Sequence, residues 1–146
     1  GLYHRLVLLV GEAGSGKTAV LRRLVDDLCV PIINVNLELS ASMLELTLKQ
    51  RSIRLPKLLD QIVETGNPVV LLDNLEILFD KSLEQDPLRL LERISRNRSV
   101  IATWSGSIKD NRLVYAKADH QEYRWYDLAD ILIVGMDGMA TIDAAI

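Results

Sequence analysis

Residues 6–24 read LVLLVGEAGSGKTAVLRRL: an aliphatic run, a turn spaced by glycines, then a charged segment with helical periodicity. A short apolar run suits a strand covered on both faces. Val20, Leu21, Leu24, Val25 and Leu28 recur at helical spacing, with Arg22, Arg23, Asp26 and Asp27 between them. Gly11, Glu12, Ala13, Gly14, Ser15, Gly16, Lys17 and Thr18 fill every position of the pattern G-x-x-x-x-G-K-[ST]. Its glycines admit backbone turns that side chains block, so successive amides point inward at a phosphate. The following helix aims its positive end at the same place. The motif therefore predicts a site for a nucleotide and Mg²⁺, with Lys17 on the β/γ-phosphates and the Thr18 hydroxyl on the metal, and the lack of an N/T-K-x-D guanine-reading motif favours ATP.

A strand ending in a phosphate loop needs partners. "VPIINVNLEL" reads as a second strand, and Ser42 with Glu45 as a capping box opening a helix to Arg51. Pro56 suits the first turn of a further helix through Val63. "PVVLLD" is a third strand, and Asp86-Pro87 opens the helix "PLRLLERISR". "SVIATWSGS" and "DILIVGM" are further strands. Between them, residues 112–128 read either as a hairpin of "RLVYAKA" against "YRWYDL" or as a short helix. Strands alternating with helices predict a three-layer α/β fold with a mostly parallel sheet of about five strands, in one domain over residues 1–146. Ligands then gather at the carboxyl ends of the strands.

Asp73 ends the third strand there, which assigns it to Mg²⁺ alongside Thr18. The next residue, where many P-loop ATPases carry a glutamate that activates water, is Asn74. An amide positions water but does not accept its proton at neutral pH. Glu76, or Glu12 inside the loop, is a candidate substitute base, a solvated loop residue being the other reading of Glu76, and slow or partner-dependent hydrolysis is the expectation. Thr103 and Ser105 end the "VIATWS" strand on the same side. One of them, Thr103 by preference, senses the γ-phosphate or holds water; capping of a loop is the alternative. The catalytic candidates are thus Lys17, Asp73, Asn74, Glu76 and Thr103.

Arg112 and Arg124 follow that strand and are placed for an arginine finger, in cis or from a second copy. Arg89, Arg93 and Arg96 make one helical stripe, read as a solvated face or as a surface for DNA or a protein partner. Tyr115, Tyr123, Trp125 and Tyr126 read as core or cross-strand packing rather than base-stacking residues. The net charge of −3 argues against wholesale polyanion binding. His4 and His120 stand far apart, and the single cysteine, Cys29, offers no disulfide or metal cluster. No apolar run approaches a membrane span and no signal peptide is visible, so a cytoplasmic protein is expected.

The P-loop, "VVLLDN" and "SVIATWSGS" together resemble a minimal AAA+ core, which implies strand order 5-1-4-3-2. "LLDNLEILF" and the ending "RLVYAKADHQEYRWYDLADILIV" resemble the BrxF family, the small P-loop proteins of type 3 BREX phage-exclusion systems. That resemblance implies antiviral defence in a bacterial or archaeal cytoplasm, beside a larger ATPase and a DNA methyltransferase. It also implies a nucleotide state that controls assembly, as a homo-oligomer or with those partners. Two departures stand out: no helical lid with its sensor arginine follows the last strand, and the acid pair is Asp-Asn.

Overall fold

The computed structural model describes residues 5–116, 121–127, 131–136 and 140–143. His4 and His120 lie outside them. Strand β1 (Leu6–Gly11) enters the loop and helix α1 (Lys17–Leu28) leaves it, as the motif requires. Then come β2 (Ile32–Asn34), α2 (Val35–Met43), α3 (Leu48–Val63), β3 (Val69–Asp73) and a 3-10 turn, Glu76–Phe79. After these follow α4 (Pro87–Ile94), β4 (Ser99–Lys109), β5 (Arg112–Tyr115), β6 (Arg124–Asp127), β7 (Ile131–Gly135) and β8 (Ala140–Asp143).

Five parallel strands run β2-β3-β4-β1-β7, the expected 5-1-4-3-2 order. Alternation along each strand sorts the two faces. Leu9, Leu71, Ile101 and Val134 pack with Leu21, Leu24 and Val25 of α1. Their neighbours Leu8, Val70, Leu72, Ala102 and Ile133 face α2, α3 and α4. Three antiparallel strands enlarge the expected sheet of about five to eight: β8 on β7, and the β5–β6 hairpin on the outer half of β4. Among the described residues no helix follows β7.

Residues 30–63 depart from the sequence reading. The second strand has three residues, not ten, because Val35, Leu39 and Met43 recur every four positions and are buried as a helix face. Asn34 caps that helix, its Oδ1 accepting from the Leu37 amide at 3.0 Å. Ser42 lies inside α2, donating to the Glu38 carbonyl, and the capping box belongs to Thr47 and Gln50. Pro56, expected in a first turn, sits in the middle of α3. A proline there offers no N–H to the Ser52 carbonyl four residues back. The Gln85 side chain takes its place, donating to Ser52 O at 2.7 Å.

The hairpin alternative holds: β5 pairs antiparallel with β6, while residues 117–120 lie outside the described residues. Asp110 and Asn111, both at positive φ (51° and 63°), make the two-residue turn between β4 and β5. Gly106 permits the close crossing, since a Cβ there would stand 1.9 Å from the Val114 carbonyl oxygen. On the far strand, Arg124 donates to the Gln85 carbonyl at 2.7 Å. Tyr126 donates to Asp86 Oδ1 at 3.0 Å, the same oxygen that accepts the Arg89 amide as the α4 cap.

Candidate functional site

The three glycines of the loop answer two different demands. Gly14 and Gly16 hold φ of 81° and 97°, the left-handed region that side chains resist. Gly11 has an ordinary φ but no room: a Cβ would lie 2.4 Å from Ser15 Oγ and 2.8 Å from Met136 Cγ. Met136 follows β7, its amide donating to the Val10 carbonyl, and so walls the loop from the neighbouring strand. Nothing in the residues around Met136 signals that role.

Lys17 is 7% exposed, with Nζ donating to the Gly11 and Glu12 carbonyls at 2.7 and 2.8 Å. Burial pulls its ammonium below the ordinary value, against Glu76, Asp73 and Glu12, of which Glu76 acts most strongly.

Asp73, 6% exposed, is a junction of three segments. Its Oδ2 accepts from Thr18 Oγ1 at 2.8 Å. Its Oδ1 accepts from Thr103 Oγ1 at 2.8 Å and from the Asn74 amide at 3.0 Å. Thr103 thus reaches the acid across the β3–β4 pair rather than capping a loop. A carboxylate and a hydroxyl in contact form a hard-oxygen donor pair that suits Mg²⁺, an ion that completes its shell with phosphate oxygens and water. No group of three or more His, Cys, Asp or Glu able to hold a metal occurs among the described residues. Thr18 and Asp73 would hold the ion, which when bound neutralises phosphate charge.

Asn74 holds φ of 55°, a left-handed conformation that asparagine tolerates better than glutamate. Its carbonyl accepts from the Asn36 amide at 2.9 Å. The backbone conformation thus gives the Asp-Asn pair a physical reason. The chain then winds into the 3-10 turn, whose first residue is Glu76. Asn36, just beyond β2, holds that turn in two further ways. Its Oδ1 accepts from the Ile77 amide at 2.7 Å, and its Nδ2 donates to Glu76 Oε2 at 3.0 Å. Ser105 donates to Glu76 Oε1 at 3.3 Å. Asn36 escaped the sequence reading because the reading placed it inside a strand, forty residues from the acid it orients.

The arginines lie elsewhere. Arg112 sits over the Trp125 ring, 4.0 Å from its centroid, and pairs with Asp127. Arg124 is spent on Gln85. None of these contacts involves the phosphate loop, Asp73 or Glu76. Arg89, Arg93 and Arg96 line a groove beside α4, but Asp86 and Glu92 line it too, and Arg93 pairs with Asp60. Trp104, Tyr115 and Tyr126 pack together with Phe79, as expected of core aromatics, whereas Trp125 is half exposed.

No helix among the described residues is long and apolar enough to cross a membrane. No curated protein matches the chain. Among solved structures it is similar to PCH-2 of C. elegans, with 26% identity over 73% of this chain and a TM-score of 0.44. The chain spans 31% of the length of that protein. The sequence profile of AAA, the ATPase family associated with various cellular activities, matches residues 7–106. That span runs from the first strand through the loop, Asp73 and Glu76 to Thr103 and Ser105, and the chain belongs to the AAA family of ATPases.

Proposed function

We propose that this chain, as a single domain, binds Mg·ATP in the 11–18 loop and hydrolyses it slowly, with Glu76 as the base. Lys17 and the loop amides grip the phosphates, and Thr18 and Asp73 hold the metal. Glu76 takes a proton from the attacking water as the bond between the γ-phosphorus and the bridging oxygen breaks, leaving ADP and phosphate. Thr103 keeps Asp73 in place from the neighbouring strand. The carrying observation is the way Glu76 is held three residues past Asp73, with Asn36 Nδ2 and Ser105 Oγ each donating to one of its oxygens.

Nucleotide state then controls assembly, with a second copy or with larger partners, through the different contacts that a triphosphate and a diphosphate make with the site. Arg112 is the residue of this chain better exposed for a finger toward a second copy. The resemblance of "LLDNLEILF" and the hairpin segment to BrxF supports bacterial phage exclusion as the setting, in the cytoplasm beside a larger ATPase.

The test is phosphate release and light scattering on the same samples with ATP, with ADP and without nucleotide. Glu76→Gln is expected to keep ATP affinity within about threefold while lowering hydrolysis ~100-fold or more. Lys17→Ala is expected to lose binding itself. Wild-type turnover in Glu76→Gln would remove Glu76 from the chemistry, and unchanged affinity in Lys17→Ala would remove the site.

A further inference from the structure

The turn that carries Glu76 is short, and short 3-10 turns are weakly stable by themselves. Hydrogen bonds that hold it include Leu78 N to Leu75 O at 2.9 Å, Asp80 N to Ile77 O at 3.2 Å, Ile77 N to Asn36 Oδ1, and those from Asn36 and Ser105 to the Glu76 carboxylate. Its last residue, Phe79, is 1% exposed and lies flat against Tyr115 of β5, with centroids 3.5 Å apart and planes 7° from parallel. Trp104 meets both rings edge-on, at 5.1 Å from Phe79 and 6.1 Å from Tyr115.

The hairpin that supplies Tyr115 is itself fastened. Trp104 Nε1 donates to the Val114 carbonyl at 3.1 Å, across the gap that Gly106 leaves open. Tyr126 closes on Trp104 from the outer strand, with centroids 5.8 Å apart. Arg124 and Tyr126 pin that strand to the segment entering α4. A ring is thus presented, from an antiparallel strand outside the five-stranded core, to the last residue of the turn whose first residue is Glu76.

We infer that Tyr115 is a positioning residue for Glu76, its ring bracing Phe79 so that the 76–79 turn holds the carboxylate in register with the phosphate loop. The inference rests on the reading of Glu76 as the base. It makes the hairpin part of the hydrolytic machinery without contact with nucleotide. Burial, reinforced by Glu76 and Glu122, pushes the Tyr115 hydroxyl up to about 12, so the ring stays neutral beside the acid throughout the working pH range.

Hydrogen exchange of the full chain tests the brace without any turnover. Tyr115→Leu should speed exchange at the Ile77 and Leu78 amides by roughly two- to tenfold, the factor an aromatic pair contributes. The Leu8 and Ala102 amides of the core ladder should not change. Tyr115→Phe should restore wild-type exchange, and Phe79→Leu should reproduce the loss from the other side of the stack. Turnover should fall in Tyr115→Leu by a similar factor with ATP affinity unchanged, and should fall no further when that change is added to Glu76→Gln. Unchanged exchange at Ile77, or acceleration of the core amides by the same factor, overturns the brace. A wild-type rate in Glu76→Gln instead refutes the role of Glu76, while the exchange result still decides whether the ring holds the turn.

Discussion

Asp73 shows how much one buried carboxylate can organise. Three donors, from α1, from β4 and from the residue after β3, converge on its two oxygens, so each hydroxyl has a cost if removed. Thr103→Val deletes one donor with little change in shape and leaves Asp73 Oδ1 with fewer partners. We expect a loss of about 1–3 kcal/mol in denaturant unfolding, with Thr103→Ser close to wild type. Weaker Mg·ATP binding in the valine variant should accompany it. The residues of this cluster were legible in sequence where chemistry is local: eight consecutive residues define the loop, and an apolar run points to Asp73. Asn36 and Met136 were not, because each reaches the site through tertiary packing and carries no signature in its own neighbourhood. Asn74 was legible as an anomaly, and only its φ of 55° explains it.

Among the elements, the hairpin was foreseen as one of two alternatives and α2 was missed. The miss has a physical origin. "IINVNLEL" satisfies strand propensity, while the 35–39–43 repeat that makes it a helix extends beyond it. The hairpin carries its own pH signature. Burial and the Asp86 carboxylate push the Tyr126 hydroxyl up to about 12 from an ordinary 10.0. The folded chain therefore keeps a proton that the unfolded chain releases. The resulting stability is complete below pH 10 and is lost as pH rises through 12. Thermal unfolding from pH 8 to 12 should show wild type losing stability more steeply than Tyr126→Phe at the alkaline end. Parallel curves would mean that neither burial nor Asp86 raises the hydroxyl.

At the scale of the molecule, the 2-3-4-1-7 order of the parallel strands places the phosphate loop between β4 and β7, with Asp73 one strand further out. The order was legible only through family resemblance; periodicity yields strands but not their neighbours. Because the site joins the loop, β3, β4 and the segment after β2, ligand binding should stabilise the whole sheet. Mg·ATP at 100 times its Kd should add about 2.7 kcal/mol, a rise in Tm of roughly 5–10 °C by scanning fluorimetry. Lys17→Ala should show no rise.

Pro56 has a further consequence. A mid-helix proline reads as a flaw to be repaired, and alanine there would restore the missing rung to α3. Yet the unclaimed Ser52 carbonyl is the hook on which Gln85 hangs, and the main chain of Gln85 is where Arg124 fastens the hairpin. A mutation that perfected the helix would unhook the loop, and the slack would pass by way of β6 and Tyr115 to the turn bearing Glu76.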